Sequence, residues 1–247
     1  MSSTSETGHA VNFANFLILI SRCIGYALRY NPANLQLTII NLQALHTATG
    51  NALQALVLAT PAWANAINNR QSIFFNMEKL ATRIVNAFDA TQGVTDAQVE
   101  DARAIVRKIR GARKGKKILN PSPEDPQQIS VSQLSFANQM GHFAELIAFV
   151  AAVPAYTPNE TELQVTQLNI FLGSMGTAMD TVNATQTPYL GALASRNNTM
   201  YGPVNGLVDT ALEVKKYVRS VSSISKEEYQ HISGLRFTRP KKKPATP

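Results

Sequence analysis

The stretch RGARKGKK, residues 110–117, sets five cations among eight positions with no acid, and RFTRPKKK, residues 236–243, holds five more. Phosphate binding is the chemistry that suits such segments. Each Lys or Arg that displaces a condensed counterion adds affinity without reading base sequence. Just upstream, Arg103, Arg107 and Arg110 are spaced 4 and 3, with Lys108 alongside, and are expected on the solvent side of a helix whose buried stripe is Val99, Ile105 and Ile109. Cations in a last turn also complement the helix dipole, by about 0.3–1 kcal/mol each. That accounts for the first of them but not for Arg113, Lys114, Lys116 and Lys117 beyond the helix end. The expected polyanion-binding set is Arg103, Arg107, Arg110, Arg113, Lys114, Lys116, Lys117, Arg236, Arg239, Lys241, Lys242 and Lys243.

The net charge of +7 conceals a division. Residues 103–117 hold eight of the 23 Lys and Arg, residues 215–243 hold nine, and the remainder carries 6 bases against 14 acids. An acidic body with basic segments suits nucleic acid or a ribonucleoprotein surface as partner, bound without sequence preference. No recognition helix, RNP-like aromatic strand or KH loop supports base readout. The same division suits self-association, basic segment to acidic body, in a structural or scaffolding role. A membrane-associated helical protein is the third reading, because basic clusters also attract anionic lipid.

Other residues that do chemistry are sparse. His142 and Glu145 stand three apart, but a di-iron carboxylate site needs that pair twice with further glutamates, and FLILISRCIGYAL in the first half has neither. The expectation is an exposed or capping His142 and no metal. Cys23, the single cysteine, lies in an apolar stretch; it excludes a disulfide framework and reads as buried packing. The glycines of GPVNG, residues 202–206, follow no strand and read as helix punctuation, not as a phosphate loop. No nucleophile elbow, zinc cluster, cofactor motif or small-molecule site is evident, and the expectation is a non-enzymatic protein. Arg70 and Arg196, in NNRQS and SRNNT, occupy matching places and are candidate binding residues or partners of carboxylates such as Glu78 and Asp209.

That matching is one of a series. Tyr30-Asn31-Pro32 recurs as Tyr156-Thr157-Pro158, Gly50 as Gly176, Thr60-Pro61 as Thr187-Pro188, Trp63 as Tyr189, and Phe13-Ala14-Asn15 as Phe136-Ala137-Asn138. Thr95…Gln98 and Ser225…Glu228 share the spacing of a capping box. The ordered series points to a tandem duplication. Asn or Thr before Pro reads as an N-cap followed by proline at the first helical position. The expected helices are then about 12–29, 32–58, 61–91 and 96–110, and again 131–153, 158–185, 188–220 and 226–235, the seventh kinked or broken at Gly202-Pro203.

The fold class expected is all-α: an internally duplicated chain of two tandem antiparallel helical bundles, each of about four helices. The domains are a tail over 1–11, a first bundle with its basic end over 12–117, a proline-rich linker over 118–130, a second bundle over 131–240 and a basic tail over 241–247. Neither long apolar run, Phe16–Leu28 or Phe143–Ala155, reaches the ~20 residues of a membrane span. The first ten residues show no cationic leader, so a soluble, cytoplasmic protein is expected.

Overall fold

A computed structural model describes residues 8–111 and 135–240. Those residues form seven α-helices and no strand: α1 His9–Gly25, α2 Ile39–Asp89, α3 Asp96–Ile109, α4 Phe136–Ala151, α5 Val165–Tyr201, α6 Leu207–Ser220 and α7 Lys226–Ser233. Among them no helix is long and apolar enough to cross a membrane.

The longest helix, α2, runs for 51 residues because one face of it is covered from end to end. Leu42, Thr49, Leu56, Trp63, Arg70, Met77 and Ile84 fall at every seventh residue, and Leu45, Ala52, Ala59, Ala66, Ile73, Leu80 and Ala87 interleave; none of the fourteen is exposed. Helix α5 repeats the pattern through Leu168, Met175, Val182, Tyr189 and Arg196. A seven-residue repeat with two covered positions keeps one stripe of a helix on the inside over many turns.

This seam corrects the reading of Pro61 and Pro188. Neither opens a helix; both lie inside one. An internal proline removes one hydrogen bond and crowds the preceding turn, at a cost of about 3 kcal/mol. Covered residues on both sides outweigh it, and the Thr60 hydroxyl donates to the Leu56 carbonyl at 2.7 Å. The first half accordingly holds three helices, its expected second and third being one, while in the second half α5 runs through the expected second helix into the third, and α4 to α7 make four.

The other proline pair, Pro32 and Pro158, falls outside helix. Residues 31–34 and 157–160 are irregular, and each is followed by a single 3₁₀ turn, Leu35–Leu37 and Thr161–Leu163, before α2 and α5 begin. A tyrosine fixes each entry: the Tyr30 hydroxyl donates to the Leu37 carbonyl at 2.7 Å, and the Tyr156 hydroxyl to the Leu163 carbonyl at 3.1 Å. Burial keeps both phenols protonated, pushing Tyr156 up to about 12 and Tyr30 higher still. The expected capping boxes are present at Thr95–Gln98 and Ser225–Glu228. The expected break is present too, with α5 ending at Tyr201 and α6 starting at Leu207. There Val204 has φ 72°, a conformation that costs a β-branched residue about 1–3 kcal/mol.

The chain divides into two compact units. One takes the described residues up to Ala62 and those from Gln186 onward; the other is Trp63–Thr185. In the first, Phe16, Leu19 and Cys23 of α1 and Leu42 of α2 share a core with Val208, Ala211, Val214 and Val218 of α6 and Ile232 of α7. In the second, Phe74, Met77, Ile84 and Phe88 of α2 and Val99, Ile105 and Ile109 of α3 share a core with Phe143, Leu146 and Val150 of α4 and Leu168 and Met175 of α5. Side chains of this size each contribute about 1.5–3 kcal/mol on full burial. Cys23 is buried as expected, and burial pushes its thiol up to about 12.

Each core therefore joins segments from before residue 112 to segments from after residue 134. Cleavage at a protease site inserted between residues 118 and 130 is expected to leave the two fragments associated on size exclusion, parting only in denaturant. Fragments that separate in native buffer would contradict this account of the cores.

Candidate anion-binding clefts

Helix α3 starts at the Thr95 cap and buries Val99, Ala102, Ile105, Val106 and Ile109. At 100° per residue, Arg103, Arg107 and Arg110 fall beside that stripe next to Val106, not opposite it as the spacing suggested. They line a cleft of about 260 Å³ together with Val106 and with Thr82, Val85 and Asn86 of α2. Arg103 is held by Asp89 at 2.8 Å and Arg107 by Glu100 at 2.9 Å, while Arg110 donates to the Thr82 hydroxyl. Among the described residues, none that lines the cleft is a carboxylate.

Lys108 points elsewhere on the same helix, to Glu145 of α4 at 3.0 Å, and Glu145 also meets His142 Nδ1 at 3.1 Å. Burial would raise the Glu145 carboxyl, but hydrogen bonds from Lys108 and His142 outweigh it and hold it below its ordinary range. His142 is thus a hydrogen-bonding partner of Glu145 within α4.

The other unit has a cleft of about 370 Å³ lined by Asp209, Leu212, Glu213, Lys215, Lys216 and Arg219 of α6 and Tyr229 of α7. Its cations are largely committed to the protein. Lys215 Nζ donates to the Ser233 carbonyl at 3.2 Å and to that of Leu235, lies 5.3 Å from the Phe237 ring, and has its pKa lowered by burial. Lys216 meets Glu213 at 2.7 Å. Two carboxylates in the lining make this the less attractive cleft for an anion.

The end of the described chain, residues 235–240, crosses this unit as a strap. Asn12, 1% exposed on the buried face of α1, donates to the Thr238 carbonyl at 2.7 Å and accepts the Thr238 N–H at 3.0 Å. Asn15 donates to the Arg236 carbonyl at 2.9 Å. Arg239 meets Asp209 at 2.6 Å and donates to the Tyr201 carbonyl at 3.0 Å. The Asp209 carboxyl is held low, first by its hydrogen bond from Arg239. Arg236 and Arg239 therefore belong to a docked segment, whereas Arg113, Lys114, Lys116, Lys117, Lys241, Lys242 and Lys243 lie outside the described residues.

Arg70 and Arg196 sit on the covered seams. The Arg70 guanidinium lies 4.2 Å from the Phe136 ring centroid with Nη1 4.0 Å from the Met179 sulfur, and its buried Nε has no hydrogen-bond partner among the described residues. Neither arginine has the expected carboxylate among the described residues: Arg70 is not paired with Glu78, and Asp209 is taken by Arg239. Arg196 donates to Asn197 Oδ1 at 2.7 Å. Its charge adds to burial in lowering the pKa of His9, which contacts the Tyr201 hydroxyl at 2.8 Å.

The spacing-based reading missed Thr82, which accepts from Arg110, and Asn86, which lines the same cleft, because both meet α3 only through tertiary packing. It also missed Asn12. A signal for Asn12 existed: it is the one polar residue in the series Asn12, Phe16, Leu19, Cys23. Compared with known protein families, with curated proteins and with solved structures, the chain has no significant match.

Asn12→Ala is expected to destabilise the protein by about 1–3 kcal/mol in denaturant unfolding, because it strands both backbone groups of Thr238. Loss of stability below ~0.5 kcal/mol would show that the strap is not anchored there. His46 supplies a pH test. It stacks on Phe13 at 4.0 Å, and burial lowers its pKa below 6.5. The unfolded chain then binds the extra proton first, so stability is complete above pH 6.5 and declines as pH falls from 6.5 toward the folded pKa. Thermal melts should show the midpoint dropping across that window. His46→Leu, which installs the residue present at Leu172 in the second half, should flatten the drop.

Proposed function

We propose that this is a non-enzymatic binding protein whose basic segments engage a polyanion, nucleic acid first, without sequence specificity. The observation that carries the reading is the convergence of Arg103, Arg107 and Arg110 on one cleft whose lining holds no carboxylate among the described residues. Guanidinium forks match phosphate oxygens. Two of the three are restrained by exposed carboxylates in ion pairs worth about 0–1 kcal/mol, which a phosphate can displace at little cost. The basic stretch 113–117 continues the same sequence segment.

We also infer descent from a tandem duplication. Several matched details support it: two tyrosine hydroxyls that each bond the carbonyl seven residues on, two capping boxes, two prolines inside long helices, and Trp63–Arg70 matched by Tyr189–Arg196 at the same spacing. A second functional reading, self-association between the acidic body and the basic segments, is favoured by the 14 acids against 6 bases outside those segments.

Fluorescence anisotropy of labelled mixed-sequence RNA and duplex DNA, at about 50 and about 200 mM salt, decides between them. Micromolar binding that weakens about tenfold or more over that range is expected. Replacing Arg103, Arg107 and Arg110 by Gln should weaken it by about tenfold as well. Absence of binding at low salt, with solution mass rising in the protein alone, would replace this reading by self-association.

A further inference from the structure

A neutral pocket of about 340 Å³ lies in the unit that contains α1, α6 and α7. It is lined by Gln36 of the 3₁₀ turn, Asn41 and Leu45 of α2, Asn205 of the loop before α6, and Thr210 of α6. Among the described residues, no charged side chain and no aromatic ring is in that lining. Thr210 is 4% exposed, and its hydroxyl has no hydrogen-bond partner among the described residues. That hydroxyl is left to solvent or to a ligand in the pocket. The side-chain amides of Gln36 and Asn205 are likewise without partners among the described residues. Asn41 Nδ2 donates to the Leu35 carbonyl at 2.6 Å, which holds its side chain in place.

The wall that carries Asn205 is preformed. The Val204 N–H donates to Asp209 Oδ2 at 3.3 Å and the Gly206 N–H to the Gly202 carbonyl at 3.0 Å. A Cβ on Gly202 would stand 2.4 Å from the Asn198 carbonyl oxygen, and one on Gly206 2.5 Å from the Gly202 carbonyl oxygen. The loop therefore tolerates only glycine at those two places, and Asn205 is presented in a fixed frame.

The chemistry of the lining selects the ligand class. With no fixed charge present, an ion entering the pocket loses hydration that nothing replaces. With no ring present, a nucleobase or sugar loses its stacking surface. Amide side chains pair well with other amides, donor to carbonyl and carbonyl to donor. This protein already uses that pairing: Asn12 takes both backbone groups of Thr238, Asn15 takes the Arg236 carbonyl, and Gln139 Nε2 donates to the Ile109 carbonyl at 3.2 Å. We propose that Gln36, Asn41, Asn205 and Thr210 form a binding site for an uncharged amide, presented either by a peptide bond or by a carboxamide side chain. The site is independent of the polyanion reading.

The test is side-chain amide NMR of the full, ¹⁵N-labelled chain. Three probes are titrated: N-acetyl-alanine N-methylamide for the peptide bond, propionamide for the carboxamide, and acetate as the charged control. Saturable shifts of the Gln36, Asn41 and Asn205 NH₂ signals are expected with at least one amide, with half-saturation on the order of millimolar for so small a ligand. The tighter of the two amides identifies the source. Thr210→Val, which keeps the shape and removes the hydroxyl, should raise half-saturation roughly fivefold. Gln36→Ala, on an exposed residue that leaves the core intact, should also weaken binding. The proposal is overturned if neither amide gives a saturable shift, if acetate binds as well as the amides, or if both variants bind as the parent does.

Discussion

Burial of one stripe along α2 is the constraint on which the other features depend. A 51-residue helix with a proline inside it takes most of its stability from packing of its covered face rather than from propensity and caps. It persists because every seventh residue, and those interleaved, is removed from water. Once that stripe is set, the proline at 61 can remove a hydrogen bond without ending the helix. The same stripe also supplies two cores, with Leu42 in one and Phe74, Met77, Ile84 and Phe88 in the other. The rest of the helix surface mixes Asn, Gln and Thr with exposed apolar residues such as Val57, Leu58 and Phe75, and the hydroxyls of Thr60 and Thr82 bond back to the preceding turn.

Polar residues on the stripe show how far the constraint reaches. Thr49 is fully buried, and its hydroxyl is satisfied by the Leu45 carbonyl one turn back, at 2.8 Å. Arg70 cannot be satisfied so locally. Its long stem and flat head lie against Phe136 and Met179, the arrangement in which a weakly hydrated cation gains from a ring face what it loses from water. His46, beside Leu45 of the stripe, stacks on Phe13, and burial lowers its pKa. For Thr49 and Arg70 the position on the seam, not the chemistry of the side chain, decides where the residue goes.

How legible these features are from sequence follows from their range. Capping boxes are legible because Thr95 with Gln98, and Ser225 with Glu228, satisfy each other within one turn. The break at Gly202-Pro203 is legible because two helix-breaking residues coincide and the strained Val204 follows. Pro61 and Pro188 mislead for the complementary reason. Their local cost is real, but it is smaller than the burial on either side, which a reading in short windows does not sum. The pairing of α3 with α2 depends on chain segments meeting in space, so the spacing of Arg103, Arg107 and Arg110 reveals a common face and not the cleft that face closes. The division into two cores, each drawing on both sequence halves, is of the same kind. Matched motifs along a chain say which segments are alike, and not which of them pack together.

The two basic clefts differ in a way that bears on what an anion would meet. Along α6, Asp209 and Glu213 stand among the cations, Lys215 is spent on carbonyls of the chain that follows α7, and Asp209 is needed to hold Arg239. An anion arriving there competes with carboxylates already bound to the protein's own structure. Along α3 the acids that restrain Arg103 and Arg107 stand outside the lining, and Arg110 is held only by a hydroxyl. The C-terminal end of α3 disfavours an anion through its dipole, but that effect is about 0.3–1 kcal/mol and falls off within one turn. Three guanidiniums share the wall of the α3 cleft, whereas Arg236 and Arg239 of the other basic segment belong to the docked strap.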